Sequence, residues 1–379
     1  MNNPISNAAA SLRSAVSDAA RGLVERETLV ELIALAAVAG EHVLVIGPPG
    51  TAKSEAVRRV AHATGGNYFE YLLGRFTEPS ELFGPVDIRK LKEGVVETDT
   101  FGMLPEAEIA FLDEVFQGST AILNTLLGIL NERVFRRGHT RLRCPLRVCV
   151  GASNALPDDD ALAAFADRFL VRVFVDPIAD PMLEELLEGG WTLAGRDIER
   201  AANISDIDAL AGEALSADMS RVRPLLAHAI RLLRSAGLSL TDRRAVKAQK
   251  LVAAAAVLAG RAKPNESDLW PLIFAVPTRD QQSAARETLR ELLSQTENAT
   301  LPAAAEEASL GRLARASRLV ESGRRILAVQ PVDGAEERES WRLKLEGIAR
   351  EIDAGFTPEQ VTAELADVRA RIVEMLGRG

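Results

Sequence analysis

Residues 42–54 read HVLVIGPPGTAKS, and how this stretch folds decides the reading of everything around it. A short apolar run ends at Gly47, a Gly-Pro-Pro-Gly turn follows, and Lys53 and Ser54 open a helical pattern. A phosphate cradle needs inward-turned backbone N–H groups, a loop that opens a helix, a lysine for the β- and γ-phosphates and a hydroxyl for Mg²⁺. Gly47, Pro48, Pro49, Gly50, Thr51, Ala52, Lys53 and Ser54 supply these in order. The usual pattern G-x-x-x-x-G-K-[ST] has glycine where this chain has Ala52. A residue at a loop-to-helix junction is expected at negative φ, where a methyl group is harmless, so the substitution reads as tolerated. The competing reading is an ordinary turn followed by an ordinary helix start.

Working outward, Leu29, Leu32, Ile33 and Ala36 recur at helical spacing before the run, and Ser54–Thr64 continues as helix after it. Further short apolar strands are expected at 67–73 (NYFEYLL), 108–114 (EIAFLDE), 146–154 (LRVCVGASN) and 169–175 (FLVRVFV), with a helix at 119–131. Five such strands alternating with helices predict an α/β domain: a three-layer αβα core on a mostly parallel five-stranded sheet, placed at 20–178 after a 1–19 N-terminal segment. The run at 108–114 ends in two acids. Beside a phosphate loop, Asp113 suits holding Mg²⁺ through water and Glu114 suits polarising an attacking water. That context weighs against the ordinary-turn reading.

From 179 to 277 strand patterning gives way to helical periodicity punctuated by Pro181, Pro224, Pro264 and Pro271, which predicts an all-α domain. Residues 278–379 are alanine-rich and evenly charged. Val361, Leu365, Val368, Ile372 and Met375 repeat at 4-3-4-3 spacing, and Thr357-Pro358-Glu359-Gln360 offers that helix an N-cap, a proline at its first turn and a capping-box glutamine. A small helical bundle is expected there, its last helix serving the chain's own core or a partner.

The formal charge of −9 argues against a general affinity for nucleic acid or acidic membrane. No apolar run reaches the ~18–20 residues a membrane span needs, and 251–260 (LVAAAAVLAG) reads as a buried helix. Two cysteines, Cys144 and Cys149, cannot build a disulfide framework, which suggests a reduced, cytoplasmic chain. Four scattered histidines and no C-x₂-C pair give no metal-ligand spacing, so Mg²⁺ is expected to arrive with nucleotide.

These features together resemble the AAA+ ATPases, and within them the MoxR family, especially its RavA-like branch, whose phosphate loop also reads GPPG-x-AKS. Further matches run through TEPSELFGP at 77–85, GMLPEAEIAFLDE at 102–114, AILNTLLGILNER at 121–133, GASN at 151–154, DRF at 167–169 and TDRR at 241–244. The resemblance implies that Asn154 is the first sensor, orienting the hydrolytic water, and that Arg168 is an arginine finger reaching the γ-phosphate held by a neighbouring subunit. Arg243 would be the second sensor, with Arg244 as its substitute. The residues alone leave open that Asn154 caps a turn, that Arg168 forms a surface ion pair, and that Thr241 caps a helix while both arginines face solvent.

Residues 81–101 resemble the clade's helix-2 insert, and 134–147 its pre-sensor hairpin, made basic by Arg136, Arg137, Arg141 and Arg143. Without interleaved aromatics these arginines favour a protein client over nucleic acid, with plain interface salt bridges as the remaining reading. The family implies an ATP- and Mg²⁺-dependent ATPase, a homo-oligomeric ring (a hexamer), a protein client to remodel or chaperone, and a partner bearing a von Willebrand factor A domain. A DNA translocase or restriction-type motor, a nucleotide-controlled assembly switch and a chelatase-like motor are the rival readings. The RavA-like branch carries a further domain with β content beyond its lid, whereas 281–379 read helical, so partner binding by that domain does not transfer.

Overall fold

The structure is a computed structural model that describes residues 4–178, 180–193, 200–310, 312–328, 335–356 and 361–377. Helix α1 (Pro4–Ala20) is followed by α2 (Glu27–Ala39), whose residues are buried continuously from Leu29 to Ala39, as a helix apolar on every face must be. Gly40, at φ 64°, closes α2 by donating its N–H back to Ala36 and Ala37, and the chain turns into β1 (Val43–Ile46). Then come α3 (Lys53–Thr64), β2 (Tyr68–Leu72), the short helices α4 (Pro79–Phe83) and α5 (Ile88–Lys92), and β3 (Ile109–Asp113). Helix α6 (Thr120–Glu132), capped by Ser119, leads into the hairpin β4 (Val134–Arg137) and β5 (Thr140–Arg143). The α/β part ends with β6 (Val148–Ser153), α7 (Asp160–Ala166) and β7 (Val171–Phe174).

Five strands form one sheet in the order β2-β3-β6-β1-β7, and every pairing is parallel. "Mostly parallel" therefore becomes wholly parallel, because the antiparallel strands β4 and β5 stand apart as their own ribbon. The chain runs from β1 outward to β2 on one side, and from β6 over to β7 on the other. Such an order opens a crevice at the carboxyl ends of the central strands, the usual place for a ligand in an open α/β sheet. Leu112, Ile122, Leu126, Phe135 and Phe169, all fully buried, fill the layer under that crevice.

Beyond β7 the chain is helical: α8 (Leu183–Leu193), α9 (Ile204–Ser216), α10 (Arg223–Ser235), α11 (Asp242–Leu258), α12 (Arg279–Thr288), α13 (Arg290–Leu293), α14 (Pro302–Leu310), α15 (Arg312–Ala328), α16 (Ala335–Gly355) and α17 (Ala363–Gly377). Residues 251–258 of the alanine-rich run are the buried end of α11, which Ala259 terminates.

The compact units cut across the four consecutive segments that the sequence suggests. One unit joins 1–21, 26–176 and 197–309, because α1 packs on α3 and α9, and α11 packs on α2 and α9. The other joins 22–25, 177–196 and 310–379. Its core is Leu319, Val320, Leu345, Ile348, Ile352, Leu365, Val368 and Ile372, so the last helix turns its repeat inward, with Val361 and Met375 at the margin. The expected capping signature, Thr357–Gln360, lies outside the described residues. Helix α17 begins only at Ala363, where the Thr362 hydroxyl accepts the Leu365 N–H. Among the described residues no helix is long and apolar enough to cross a membrane.

Candidate functional site

The loop between β1 and α3 is squeezed against the exit of β7. Gly47 donates its N–H to the Ser153 carbonyl, and a Cβ on Gly47 would lie 2.3 Å from the Val175 carbonyl oxygen, so nothing larger than glycine fits. Gly50 has φ 78° and is exposed at the loop's tip. Ala52 has φ 58° and ψ 28°. This corrects the expectation of negative φ: the alanine stands in left-handed backbone, which strains a Cβ by roughly 1–2 kcal/mol and explains why glycine is the usual choice there. The loop keeps the conformation that the missing glycine would favour.

Ala52 is also the N-cap of α3 and has no side-chain oxygen to offer. The first amides of α3 are thus not capped by their own residue, which is the condition for an anion at a helix N-terminus. Lys53 is buried, and its ammonium donates to the carbonyls of Gly47 at 2.6 Å and Pro48 at 3.0 Å. Burial holds the Lys53 ammonium below the ordinary lysine value; Asp113 and Glu114 pull it back up and Arg26 pushes it down. Thr51 donates to the Pro48 carbonyl at 2.9 Å, and Ser54 stands half-buried on the first turn of α3.

Asp113 closes β3, and its Oδ1 accepts the Glu114 N–H at 2.9 Å. Glu114 sits at φ 48°, a second strained residue. Asn154, one residue past β6, donates from Nδ2 to Glu114 Oε1 at 2.8 Å. The adjacent turn is closed by Ser153, whose hydroxyl donates to the Ala155 carbonyl, so Asn154 is not spent on capping it. The carboxyl ends of β1, β3 and β6, neighbours in the sheet, thus gather Lys53, Asp113, Glu114 and Asn154 into one crevice.

Arg168 follows α7, half-buried, with its Nε buried and lacking a hydrogen-bond partner. Thr241 does cap α11, accepting the Arg244 N–H. Arg243 is exposed. Arg244 is 1% exposed and donates to the carbonyls of Ala275 (2.8 Å), Phe169 (3.3 Å) and Leu170 (2.6 Å) and to Asp167 Oδ1 (3.1 Å). It staples α11 to the strand that follows α7, and that occupation removes it as a substitute second sensor.

One residue at the crevice has no sequence motif. Arg26, 4% exposed at the start of α2, donates from Nε to the Thr51 carbonyl at 2.9 Å and from Nη2 to the Asp176 carbonyl at 2.7 Å. Its only signal in the sequence is a cation at a helix N-terminus, where the helix dipole disfavours one.

Among the described residues no cluster of three or more His, Cys, Asp or Glu side chains could hold a metal ion. The Ser54 hydroxyl and the Asp113 carboxylate at the crevice fit Mg²⁺, which keeps most of its waters and takes one or two protein oxygens alongside phosphate.

A second face is built from the two insertions. The Thr98 N–H donates to Thr140 Oγ1 at 2.7 Å, the His139 N–H to the Val96 carbonyl at 2.9 Å, and Arg137 to the Gly84 carbonyl at 3.1 Å, so the 81–101 insert and the β4-β5 hairpin form one body. Arg136, Arg141 and Arg143 are exposed on it, Arg136 paired with Glu132 at 2.7 Å. Phe101 is 85% exposed at the insert's end.

Comparison with known proteins bears on the family and the fold of the chain. The family model described as the MoxR domain of MoxR-vWA-beta-propeller ternary systems matches residues 10–212. Two proteins of Methanocaldococcus jannaschii, MJ0812 and MJ0079, are 39% and 37% identical to this chain over 248 and 251 residues. Each alignment covers 65% of this chain, and 66% and 64% of those relatives' own lengths. The chaperone MoxR1 of Mycobacterium tuberculosis is 26% identical over 43% of this chain and 44% of its own. The crystal structure of a candidate ATPase from Cytophaga hutchinsonii superposes with a TM-score of 0.61 at 14% identity, covering 78% of this chain and 97% of that one, a likeness of fold.

Proposed function

Because the chain belongs to the MoxR family of AAA+ ATPases, we propose that it binds ATP with Mg²⁺ in the β1-β3-β6 crevice and hydrolyses it to remodel a protein client. The observation that carries this reading is the Asn154–Glu114 hydrogen bond, formed at a carboxylate whose charge reaches the buried Lys53 of the phosphate loop. In the proposal Gly47–Ser54 wrap the phosphates, and Lys53 exchanges its two loop carbonyls for phosphate oxygens. Ser54 and Asp113 would hold Mg²⁺, which when bound would supply positive charge against the phosphates. Glu114 accepts the proton of the attacking water, and the Asn154 amide keeps that carboxylate aimed.

Arg168, with a buried and unpartnered Nε, would act on nucleotide held by a neighbouring copy in a ring, a hexamer in this reading. Arg243, exposed near the start of α11, would be the second sensor. The insert-and-hairpin body, with exposed Phe101 and three exposed arginines, suits contact with a protein client. A von Willebrand factor A partner follows from the family's description, which also names a β-propeller. The Ala52 loop supports placement near the RavA-like branch, and two buried, unpaired cysteines suit a reducing compartment such as the cytoplasm.

The test is Glu114→Gln. Binding of a fluorescent ATP analogue should stay within about threefold of native, while turnover falls by roughly 10²–10⁴-fold, the span of a lost general base. Parallel loss of binding and turnover, or turnover unchanged, would remove Glu114 from this role.

A further inference from the structure

Alanine in left-handed backbone needs something to hold it there. A flip of the Thr51–Ala52 peptide plane would turn φ of Ala52 by about 180°, from 58° into the negative range that alanine prefers. Among the described residues every peptide bond is trans, so the Thr51 carbonyl and the Ala52 N–H point in opposite directions. Whatever fixes that carbonyl therefore also fixes the N–H at the mouth of α3.

We propose that Arg26 is a positioning residue for the phosphate cradle: by holding the Thr51 carbonyl outward it aims the Ala52 N–H into the cradle and locks Ala52 in the left-handed conformation. The proposal rests on the nucleotide-binding reading above.

Arg26 is suited to this by its fork and its anchorage. One arm, Nε, takes the Thr51 carbonyl at 2.9 Å; another, Nη2, takes the Asp176 carbonyl at 2.7 Å. The Asp176 carboxylate is gripped in turn by both terminal nitrogens of Arg279, at 2.7 and 2.9 Å. Val175, the preceding residue, donates its N–H to the Ile46 carbonyl and lies against Gly47. The backbone at 175–176 is thus a fixed rail that meets both ends of the loop, directly at Gly47 and through Arg26 at Thr51. A buried guanidinium that gave up the Thr51 carbonyl would leave a donor and an acceptor unpaired together, so the flip is opposed by desolvation as well as by the lost bond.

In chains with glycine at the position of Ala52 the flip gains nothing, because glycine is indifferent to the sign of φ. The brace is needed because the residue is alanine. That dependence separates a positioning role from general support of the fold, and it is what the experiment reads.

Equilibrium binding of a fluorescent ATP analogue with Mg²⁺ is measured for the native chain, Arg26→Met, Arg26→Lys, Ala52→Gly and the double variants, with thermal midpoints taken without nucleotide. Ala52→Gly alone supplies the reference for the glycine background, as the native chain does for the alanine background, and each Arg26 variant is read as a change in affinity from its own background. Arg26→Met should weaken it on the order of tenfold, equivalent to 1.4 kcal/mol. Arg26→Lys keeps the charge but loses the fork and should show most of that loss. In the glycine background either Arg26 variant should bind within about threefold of Ala52→Gly alone, although the thermal midpoint stays lowered. Native affinity in both Arg26 variants, or losses that Ala52→Gly leaves in place, would overturn the proposal. If Arg26→Met fails to fold, the Arg26→Lys pair decides alone. A native chain that binds no nucleotide defeats the nucleotide reading itself, which is a different result from a native chain that binds and an Arg26 variant that binds equally.

Discussion

Two neighbouring arginines in Thr241-Asp242-Arg243-Arg244 look interchangeable as letters and are not so as side chains. Arg244 is enclosed by three carbonyls and Asp167, and burial holds its guanidinium below the ordinary arginine value. Removing it strands three buried carbonyls and takes the partner from the half-buried Asp167. Arg244→Ala should therefore lower unfolding free energy by roughly 3–5 kcal/mol in a urea titration, whereas Arg243→Ala should stay within about 0.5 kcal/mol. If Arg243 is the second sensor, its cost appears in turnover with the urea midpoint unchanged. An Arg244 variant as stable as the native chain would contradict the staple.

At the scale of elements, the insert and the hairpin hold together through a glycine. Gly138, at φ 59° in the β4-β5 turn, approaches the Val96 carbonyl so closely that a Cβ would stand 2.7 Å from it. Gly102 has φ 71° with open space around it. Both Gly138→Ala and Gly102→Ala strain the backbone, but only the former drives the two elements apart. Trypsin cleavage at the exposed Lys90 and Lys92 of α5 should accelerate several-fold in Gly138→Ala and not in Gly102→Ala. Equal protection in both would mean that the elements part for another reason or not at all.

Glu31 joins elements in a different way. From α2 its carboxylate caps α14, accepting the N–H groups of Ala303 at 3.2 Å and Ala304 at 2.7 Å. Burial, the largest influence, nonetheless pushes its carboxyl from 4.5 up to about 8 against those two bonds. The folded chain therefore binds this proton more tightly than the unfolded chain does. Its contribution to stability is complete below the unfolded value of 4.5 and is lost as pH rises through about 8. Glu31→Gln removes the titration, so its unfolding free energy should fall less steeply than that of the native chain between pH 5 and 8. Parallel slopes would show that Glu31 is ionised throughout.

For the whole molecule, the proposed finger makes one copy an incomplete enzyme. Arg168 on one copy would serve nucleotide on the next, so specific activity should rise with protein concentration and with assembly followed by size. Mixing Arg168→Ala with Lys53→Ala chains should restore turnover at mixed interfaces, because each supplies what the other lacks. Loss of an arginine finger costs 10³–10⁵-fold, so even a small restored fraction is measurable. Two inactive variants that stay inactive on mixing would place Arg168 in its own subunit's chemistry or outside it.

The sheet, the turn that opens α3 and the acids at the end of β3 were legible along the chain, because strand and helix periods and the order of turn residues are local properties. Local spacing also placed Asn154 at a strand end. What it did not reach depends on groups far apart in the chain. Arg26 meets Asp176 across 150 positions, and Arg244 meets Asp167 across 77. Whether an arginine is a brace, a staple or a free cation is decided by which acceptors surround it, and no periodicity carries that. The left-handed turn at Ala52 belongs to the same class, since its φ is set by a carbonyl held from outside the loop rather than by the preference of the residue itself. The sequence by itself determined which groups stand at the strand ends; the tertiary structure alone decided how each is held, because hydrogen bonds to buried charges form between neighbours in space.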